Sequence, residues 1–281
     1  MQEIIKVENL TKKYGKFIAV DNISFTINKG DVVGFVGKNG AGKSTTIRCM
    51  TNMLFPTEGS ISILGLDSIK DAKEINSKTS YMASENDLYE NLTPMEVFKM
   101  VISFDGNDIY RAMELSQYFE LNTNKKIGEL SLGNRKKVDI IIMLLRKAEI
   151  LILDEPTSGL DPLMQKKFFD KIKEATDNGT TVFLSSHNLN EVEKYCDRAI
   201  IIKDGKIVDD LDMSVVNVAK VQNVTYTTKD GVNKNYEYEG DINELIRDLS
   251  RLELTHLEIK GKSVEDEFIR YYKGGEVHEE V

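Results

Sequence analysis

Cysteine is nearly missing from this 281-residue chain, which has two. Cys49 and Cys196 stand far apart with no CxxC spacing. Both fall in stretches read as helices, where a thiol packs as a small buried hydrophobe, so disulfide and thiolate-metal chemistry are excluded. Histidine is scarce as well, and His256 and His278 have no ligand-spaced companions. Long apolar runs are absent. The longest candidates, such as Ile140 to Leu145, end in charge at Arg146 and Lys147, well short of the roughly 18 residues a membrane helix needs. No secretory leader opens the sequence, which predicts a cytosolic chain. Basic charge is in deficit, with 37 Lys and Arg against 46 Asp and Glu and a net charge of −9. That argues against a general nucleic-acid binder, which needs a basic face, although a local basic patch stays open. What remains is 41% hydrophobic, enough for one large domain or one plus a small appendage.

Against these absences stand five short motifs in a fixed order. The first, Gly37-Lys38-Asn39-Gly40-Ala41-Gly42-Lys43-Ser44, fits the phosphate-loop pattern Gly-x4-Gly-Lys-Ser. It follows an apolar run, Val32 to Val36, that reads as a buried strand. It precedes Ile47, Met50 and Leu54, which share one helical face. Glycines let backbone N–H groups turn inward around phosphates, and the helix N-terminus adds partial positive charge. Residues 37 to 44, with Thr45, are therefore the predicted phosphate-binding set. In that arrangement Lys43 reaches the β- and γ-phosphates and the Ser44 hydroxyl ligates Mg²⁺.

Ile150 to Leu153 is an unbroken aliphatic run closed by Asp154 and Glu155. A strand of that kind is expected at the centre of a parallel sheet covered on both faces. Carboxylates directly after it sit at the sheet edge where α/β proteins bind ligands. Successive strand residues face opposite ways, so the pair divides its labour. Asp154 suits the Mg²⁺ shell, and Glu155 suits a general base that polarises the attacking water. Val182-Phe183-Leu184 reads as the next buried strand and places His187, after Ser185 and Ser186, at the same edge.

The remaining motifs, Leu130-Ser131-Leu132-Gly133-Asn134 and Ser158-Gly159-Leu160-Asp161, have no place in an ordinary P-loop kinase or GTPase. With the others they resemble the ATP-binding cassette (ABC) ATPases, over roughly residues 3 to 210. The resemblance implies a bacterial ABC transporter ATP-binding subunit of exporter type, whose ATP is read across a head-to-tail dimer. On that pattern Ser131 and the Gly133 backbone contact the γ-phosphate bound to the other subunit, and Asp161 links the two sites. His187 reaches the γ-phosphate, and Tyr14, 23 residues before Gly37, stacks on adenine. The chain departs from the family in two places. Leu132 and Asn134 replace the Gly and Gln of the usual Leu-Ser-Gly-Gly-Gln. At the usual Gln position, aligned through Tyr81-Met82-Ala83-Ser84-Glu85, stands Ser84. It is too short to reach Mg²⁺ as Gln does, which leaves a bridging water, Glu85 or altered coupling as the alternatives.

The implied fold is α/β: a RecA-like parallel-sheet core, an antiparallel β-subdomain over residues 3 to about 30, and a helical subdomain over about 85–148. The ATPase domain is expected at 1–212 and a small α+β accessory domain at 213–281. Thr93-Pro94 and Asp161-Pro162 read as helix starts, Asn178-Gly179 as a stop, and Asn188 with Glu191 as a capping box. Beyond residue 212 the order is a hairpin over Val221 to Tyr238, a helix over Asp241 to Leu252 with Leu245, Ile246, Leu249 and Leu252 on one face, a strand over Leu254 to Ile259, and a helix over Ser263 to Tyr272. This accessory domain carries no chemical motif; packing, dimer stabilisation and regulation are its candidate roles. Soluble ABC ATPases of nucleic acid or ribosomes carry paired cassettes, coiled-coil heptads or zinc inserts, and this chain has none of these. The resemblance thus implies ATP and Mg²⁺ at the site and a second ATPase subunit. It also implies a membrane permease on a separate chain and a place on the inner face of the cell membrane. The transported substrate is not written in the ATPase.

Overall fold

A computed structural model describes residues 2–84, 89–105, 108–216 and 221–261. Glu85 and the stretch from Ser263 to the terminus, with the expected last helix and His278, lie outside the described residues. By its internal contacts the chain divides into two compact units, Met1–Asp210 and Leu211–Val281.

The first unit opens with β1 (Glu3–Tyr14) and β2 (Phe17–Asn28), then β3 (Val32–Val36) and helix α1 (Lys43–Met50). Strands β4 (Glu58–Ile63) and β5 (Leu66–Asp67), helix α2 (Ala72–Lys78) and strand β6 (Thr79–Met82) follow. Three helices come next, α3 (Pro94–Asp105), α4 (Ile109–Tyr118) and α5 (Leu132–Leu145). The unit closes with β7 (Ile150–Asp154), α6 (Pro162–Asp177), β8 (Thr181–Ser186), α7 (Leu189–Tyr195), β9 (Arg198–Lys203) and β10 (Lys206–Asp212), the last running across the boundary.

Two sheets form. The antiparallel one has the order β2-β1-β4-β5, and the six-stranded one β10-β9-β3-β8-β7-β6. Within the latter, β6, β7, β8, β3 and β9 run parallel. Every residue of β3, β7 and β8 is buried, as their aliphatic runs require of strands covered on both faces. One cover is the antiparallel sheet, whose Phe25 meets Phe35 of β3 and Phe183 of β8 at ring centroids 5.8 and 5.7 Å apart. Elsewhere α6 and α7 lie side by side, with Phe169 stacked on Tyr195 at 3.9 Å. All the parallel strands end on one edge, and the motif residues gather there.

The helix signals were read correctly at three of the four ends. Thr93 and Glu96 exchange hydrogen bonds at the start of α3 (Thr93 N to Glu96 Oε2, 2.7 Å). Asp161 caps α6 ahead of Pro162, and Asn178 ends it. The expected capping box at α7 does not form. The Asn188 side chain accepts from Asn190 N (3.1 Å), and the Asn188 N–H goes to Ser186 Oγ (2.9 Å). Glu191 turns inward instead. Cys196 lies one residue past α7 rather than within it.

The second unit holds α8 (Met213–Val216), β11 (Val221–Thr228), β12 (Asn233–Glu239), α9 (Ile242–Leu249) and β13 (Leu254–Gly261). Its sheet has the order β12-β11-β13, both pairs antiparallel. Val224, Tyr226, Leu245 and Leu249 form a small core. The helix expected to run to Leu252 ends at Leu249, and its expected apolar face is only half used, because Ile246 and Leu252 are exposed.

Candidate functional site

The phosphate loop is shaped by two glycines. Gly42 has φ +111, and a Cβ there would come within 2.7 Å of Ala19 O; a Cβ on Gly37 would meet Ile202 O at 2.5 Å. No side chain caps the start of α1, so its first N–H groups face outward as phosphate donors. Asn39, Gly40, Gly42, Lys43, Ser44 and Thr45 line an open cleft of about 430 Å³ with Tyr14, Phe17, Ala19, Ser84 and Glu155. Gly37 and Lys38 contribute backbone, since their carbonyls accept from the Lys43 ammonium at 2.6 and 3.3 Å. Ala41 is buried beneath the loop and accepts from Gly205 N.

At the end of β7 the two carboxylates diverge as strand alternation demands. Asp154 is fully buried, and its Oδ1 accepts from Ser44 Oγ (3.1 Å) and Ser185 Oγ (2.7 Å). Its Oδ2 is buried with no hydrogen-bond partner. Such an orphan carboxylate oxygen beside a hydroxyl is a hard-oxygen pair, the donor set Mg²⁺ takes, so these residues fit that ion. Glu155 sits in left-handed backbone (φ 48) with its N–H held by Ser185 Oγ at 3.0 Å. Its Oε1 pairs with Lys43 Nζ at 3.1 Å, and its Oε2 lies 2.6 Å from His187 Nδ1. Lys43, Glu155 and His187 thus form one continuous polar chain along the sheet edge.

Tyr14 forms a half-exposed wall of the cleft, and Phe17, 64% exposed, lies beside it. Phe17 was missed by the sequence reading; an apolar residue opening the strand after Tyr14-Gly15-Lys16 was the available signal. Ser131, Gly133 and Asp161 are not among the cleft-lining residues. Ser131 caps α5 by accepting from Asn134 N (3.4 Å), and Asp161 caps α6 by accepting from Met164 N (3.0 Å). These two motifs meet each other within the chain: a Cβ on Gly133 would lie 3.2 Å from Gly159 O, and one on Gly159 would touch the Leu132 side chain. Ser84 lines the cleft, and its carbonyl accepts from the buried Lys136 of α5 at 2.9 Å. A second cavity, about 530 Å³, lies among residues that precede the parallel strands, including Lys29, Glu149 and Thr180, away from the phosphate loop.

A family model described as ABC transporter matches residues 20–158. A bacitracin transport ATP-binding protein of Bacillus licheniformis is 37% identical over 75% of this chain and 70% of its own length. Its counterpart from Enterococcus faecalis is 28% identical over 98% of both chains. Among solved structures, the chain resembles a bacterial ABC transporter cassette described as dimeric, with a TM-score of 0.69, 26% identity and coverage of 75% of this chain and 99% of the cassette.

Proposed function

The chain belongs to the ABC transporter ATP-binding protein family, and from that premise we propose that it drives export through a membrane permease on a separate chain, by closing on ATP as a head-to-tail dimer. It is an ATPase whose hydrolysis powers transport. The observation that carries the site reading is the Lys43–Glu155–His187 chain beside the orphan oxygen of Asp154.

In this reading the cassette spans 1–212, with 213–281 as an accessory domain. The N–H groups at the start of α1 and the Lys43 ammonium hold the ATP phosphates, and Tyr14 stacks on adenine. Ser44 and Asp154 would hold Mg²⁺, which supplies charge neutralisation on the phosphates when bound. Glu155 takes a proton from the attacking water. His187, hydrogen-bonded to Glu155, fixes that carboxylate and faces the γ-phosphate. Ser131, exposed at the start of α5, and the half-buried Gly133, both outside the chain's own cleft, serve the partner's nucleotide, and Asp161 joins the two sites. Among the described residues no helix is long and apolar enough to cross a membrane, which supports a permease on another chain and a peripheral place on the inner face of the cell membrane. The bacitracin-transport relatives favour export, and the acidic net charge disfavours a nucleic-acid partner.

Complementation tests the composite site. Lys43→Ala and Ser131→Arg are each expected to stop turnover, while the Ser131→Arg monomer keeps normal ATP binding. Mixing the two variants restores turnover, because Lys43 of one chain and Ser131 of the other rebuild one intact site. Parallel loss of monomer ATP binding in Ser131→Arg, with no recovery on mixing, would refute the shared site.

A further inference from the structure

Glu191 has no part in the machinery described so far, yet it is placed against it. It lies in the first turn of α7 with 7% of its surface exposed. A carboxylate is buried at a cost unless hydrogen bonds compensate. Here Oε2 accepts from Thr157 Oγ1 at 2.8 Å and from Ser186 Oγ at 3.4 Å. Burial pushes its carboxyl above the ordinary range, and the hydroxyl donors oppose that push. A helix-capping role would have left it at the surface with the same sequence.

Thr157 and Ser186 stand on the two loops that carry Glu155 and His187, and Asn188, also beside His187, is a further side-chain partner of Glu191. Thr157 is inside the turn that follows Glu155, in which Ser158 N bonds to Glu155 O (3.2 Å) and Leu160 N to Thr157 O (3.1 Å). That turn starts from the left-handed backbone of Glu155, a conformation that persists only where surrounding contacts hold it. Ser186 immediately precedes His187. Its hydroxyl accepts from Asn188 N at 2.9 Å, closing the turn around the histidine, and its carbonyl accepts from Gly37 N of the phosphate loop at 3.3 Å. The 2.6 Å contact between His187 Nδ1 and Glu155 Oε2 depends on the relative position of these two turns. One carboxylate oxygen ties them together.

We propose that Glu191 is a positioning residue for ATP hydrolysis: by accepting from Thr157 and Ser186 it holds the Glu155 turn against the His187 turn, and so aims the base. This rests on the reading of Glu155 as general base. It assigns Glu191 no contact with nucleotide, so its loss acts on turnover and leaves binding alone.

The test uses Glu191→Ala, Glu191→Gln and Thr157→Val in the full chain, with phosphate release for kcat and KM and equilibrium titration for ATP affinity. A small misplacement of a reacting group costs up to about 100-fold in rate, so Glu191→Ala and Thr157→Val are expected to lower kcat by roughly 10- to 100-fold. KM and ATP affinity stay within about twofold, the scatter of independent sites. Glu191→Gln keeps kcat nearer the wild-type value than Glu191→Ala, since Thr157 and Ser186 both donate to one oxygen, whose place the amide carbonyl can take. Added to Glu155→Gln, Glu191→Ala changes the residual rate by less than about twofold, because a group that acts through the base has nothing left to aim. Wild-type kcat in Thr157→Val, or a full further loss on the Glu155→Gln background, would overturn the proposal. Thr157→Val removes one hydroxyl at nearly constant volume and carries the test alone if Glu191→Ala does not fold. Wild-type turnover in Glu155→Gln itself would instead refute the base assignment, an outcome read independently of Glu191.

Discussion

Glu155→Gln is expected to strengthen ATP binding and stop hydrolysis, two effects of opposite sign from one atom. The Lys43 ammonium is satisfied by Gly37 O at 2.6 Å and Glu155 Oε1 at 3.1 Å, with the two side chains 5% and 15% exposed. To reach a phosphate, Lys43 must release Glu155. A hydrogen bond to a charged group contributes about 1.5–3 kcal/mol, and the pair is buried enough that salt screens it weakly. The cost of breaking it opposes ATP. The neutral amide removes most of that cost and the repulsion between carboxylate and γ-phosphate, so affinity rises by roughly tenfold or more. Turnover falls by about 10²–10⁴, the usual loss for a missing general base. Calorimetric titration with Mg²⁺ and ATP gives the first quantity, and phosphate release gives the second. The part of the gain that comes from freeing Lys43 vanishes when Lys43→Ala is added, since no ammonium is left to compete for, and only the relief of repulsion remains. Unchanged or weaker binding in Glu155→Gln would refute the competition for Lys43, and wild-type turnover would refute the base.

Three further outcomes follow from the same geometry. Lys43→Ala abolishes tight ATP binding with little change in the thermal unfolding midpoint; unchanged ATP turnover would remove the phosphate-loop assignment. Tyr14→Ala weakens ATP by about 1–3 kcal/mol, the scale of a base–aromatic stack, and weakens GTP equally, because stacking hardly reads base edges; equal affinity in wild type and variant would return Tyr14 to a surface role. Burial pushes the Cys49 thiol up to about 11 and the Cys196 thiol up as well, so a disulfide reagent at pH 8 labels neither in the folded chain and both in denaturant; prompt labelling of the folded chain would contradict that burial.

What the sequence made legible was local. Strand, glycine turn and helix at residues 32 to 50 carry their own signals, and so do the aliphatic run before Asp154 and the helix start at Asp161-Pro162. Capping shows where such reading stops. At the expected helix start, Thr93 and Glu96 form a reciprocal pair at an exposed end. Asn188 and Glu191 have the same spacing, but Thr157, 34 residues away in sequence, supplies a hydroxyl that draws the carboxylate inward. Spacing cannot show that competitor. Phe17 in the cleft wall and the Lys136 bond to Ser84 O, across 52 residues, were hidden for the same reason. In α9, periodicity placed four apolar residues together, yet the small sheet covers only Leu245 and Leu249.

In the proposed head-to-tail dimer, the departures from the usual family pattern bear on how the two halves of a composite site would communicate. Ser84 stands where the longer Gln would reach the metal, yet it lines the cleft, and its carbonyl is held by a lysine of the same helix whose first turn carries Ser131. At that first turn, Leu132 replaces a glycine and covers Gly159, in the turn that runs from Glu155 through Thr157 to Asp161. The signature helix therefore touches its own chain's nucleotide site twice: by Lys136 at the wall of the cleft, and by Leu132 at the turn following the base. Both contacts join α5 to segments next to the phosphates. A shift of Ser84 or of the 155–161 turn on nucleotide binding would be transmitted to Ser131 through packed atoms and one partly buried hydrogen bond, because close-packed interiors transmit strain. In the proposed head-to-tail dimer, coupling between a chain's own ATP and the signature it would offer to its partner then has a physical route that does not need a glutamine side chain.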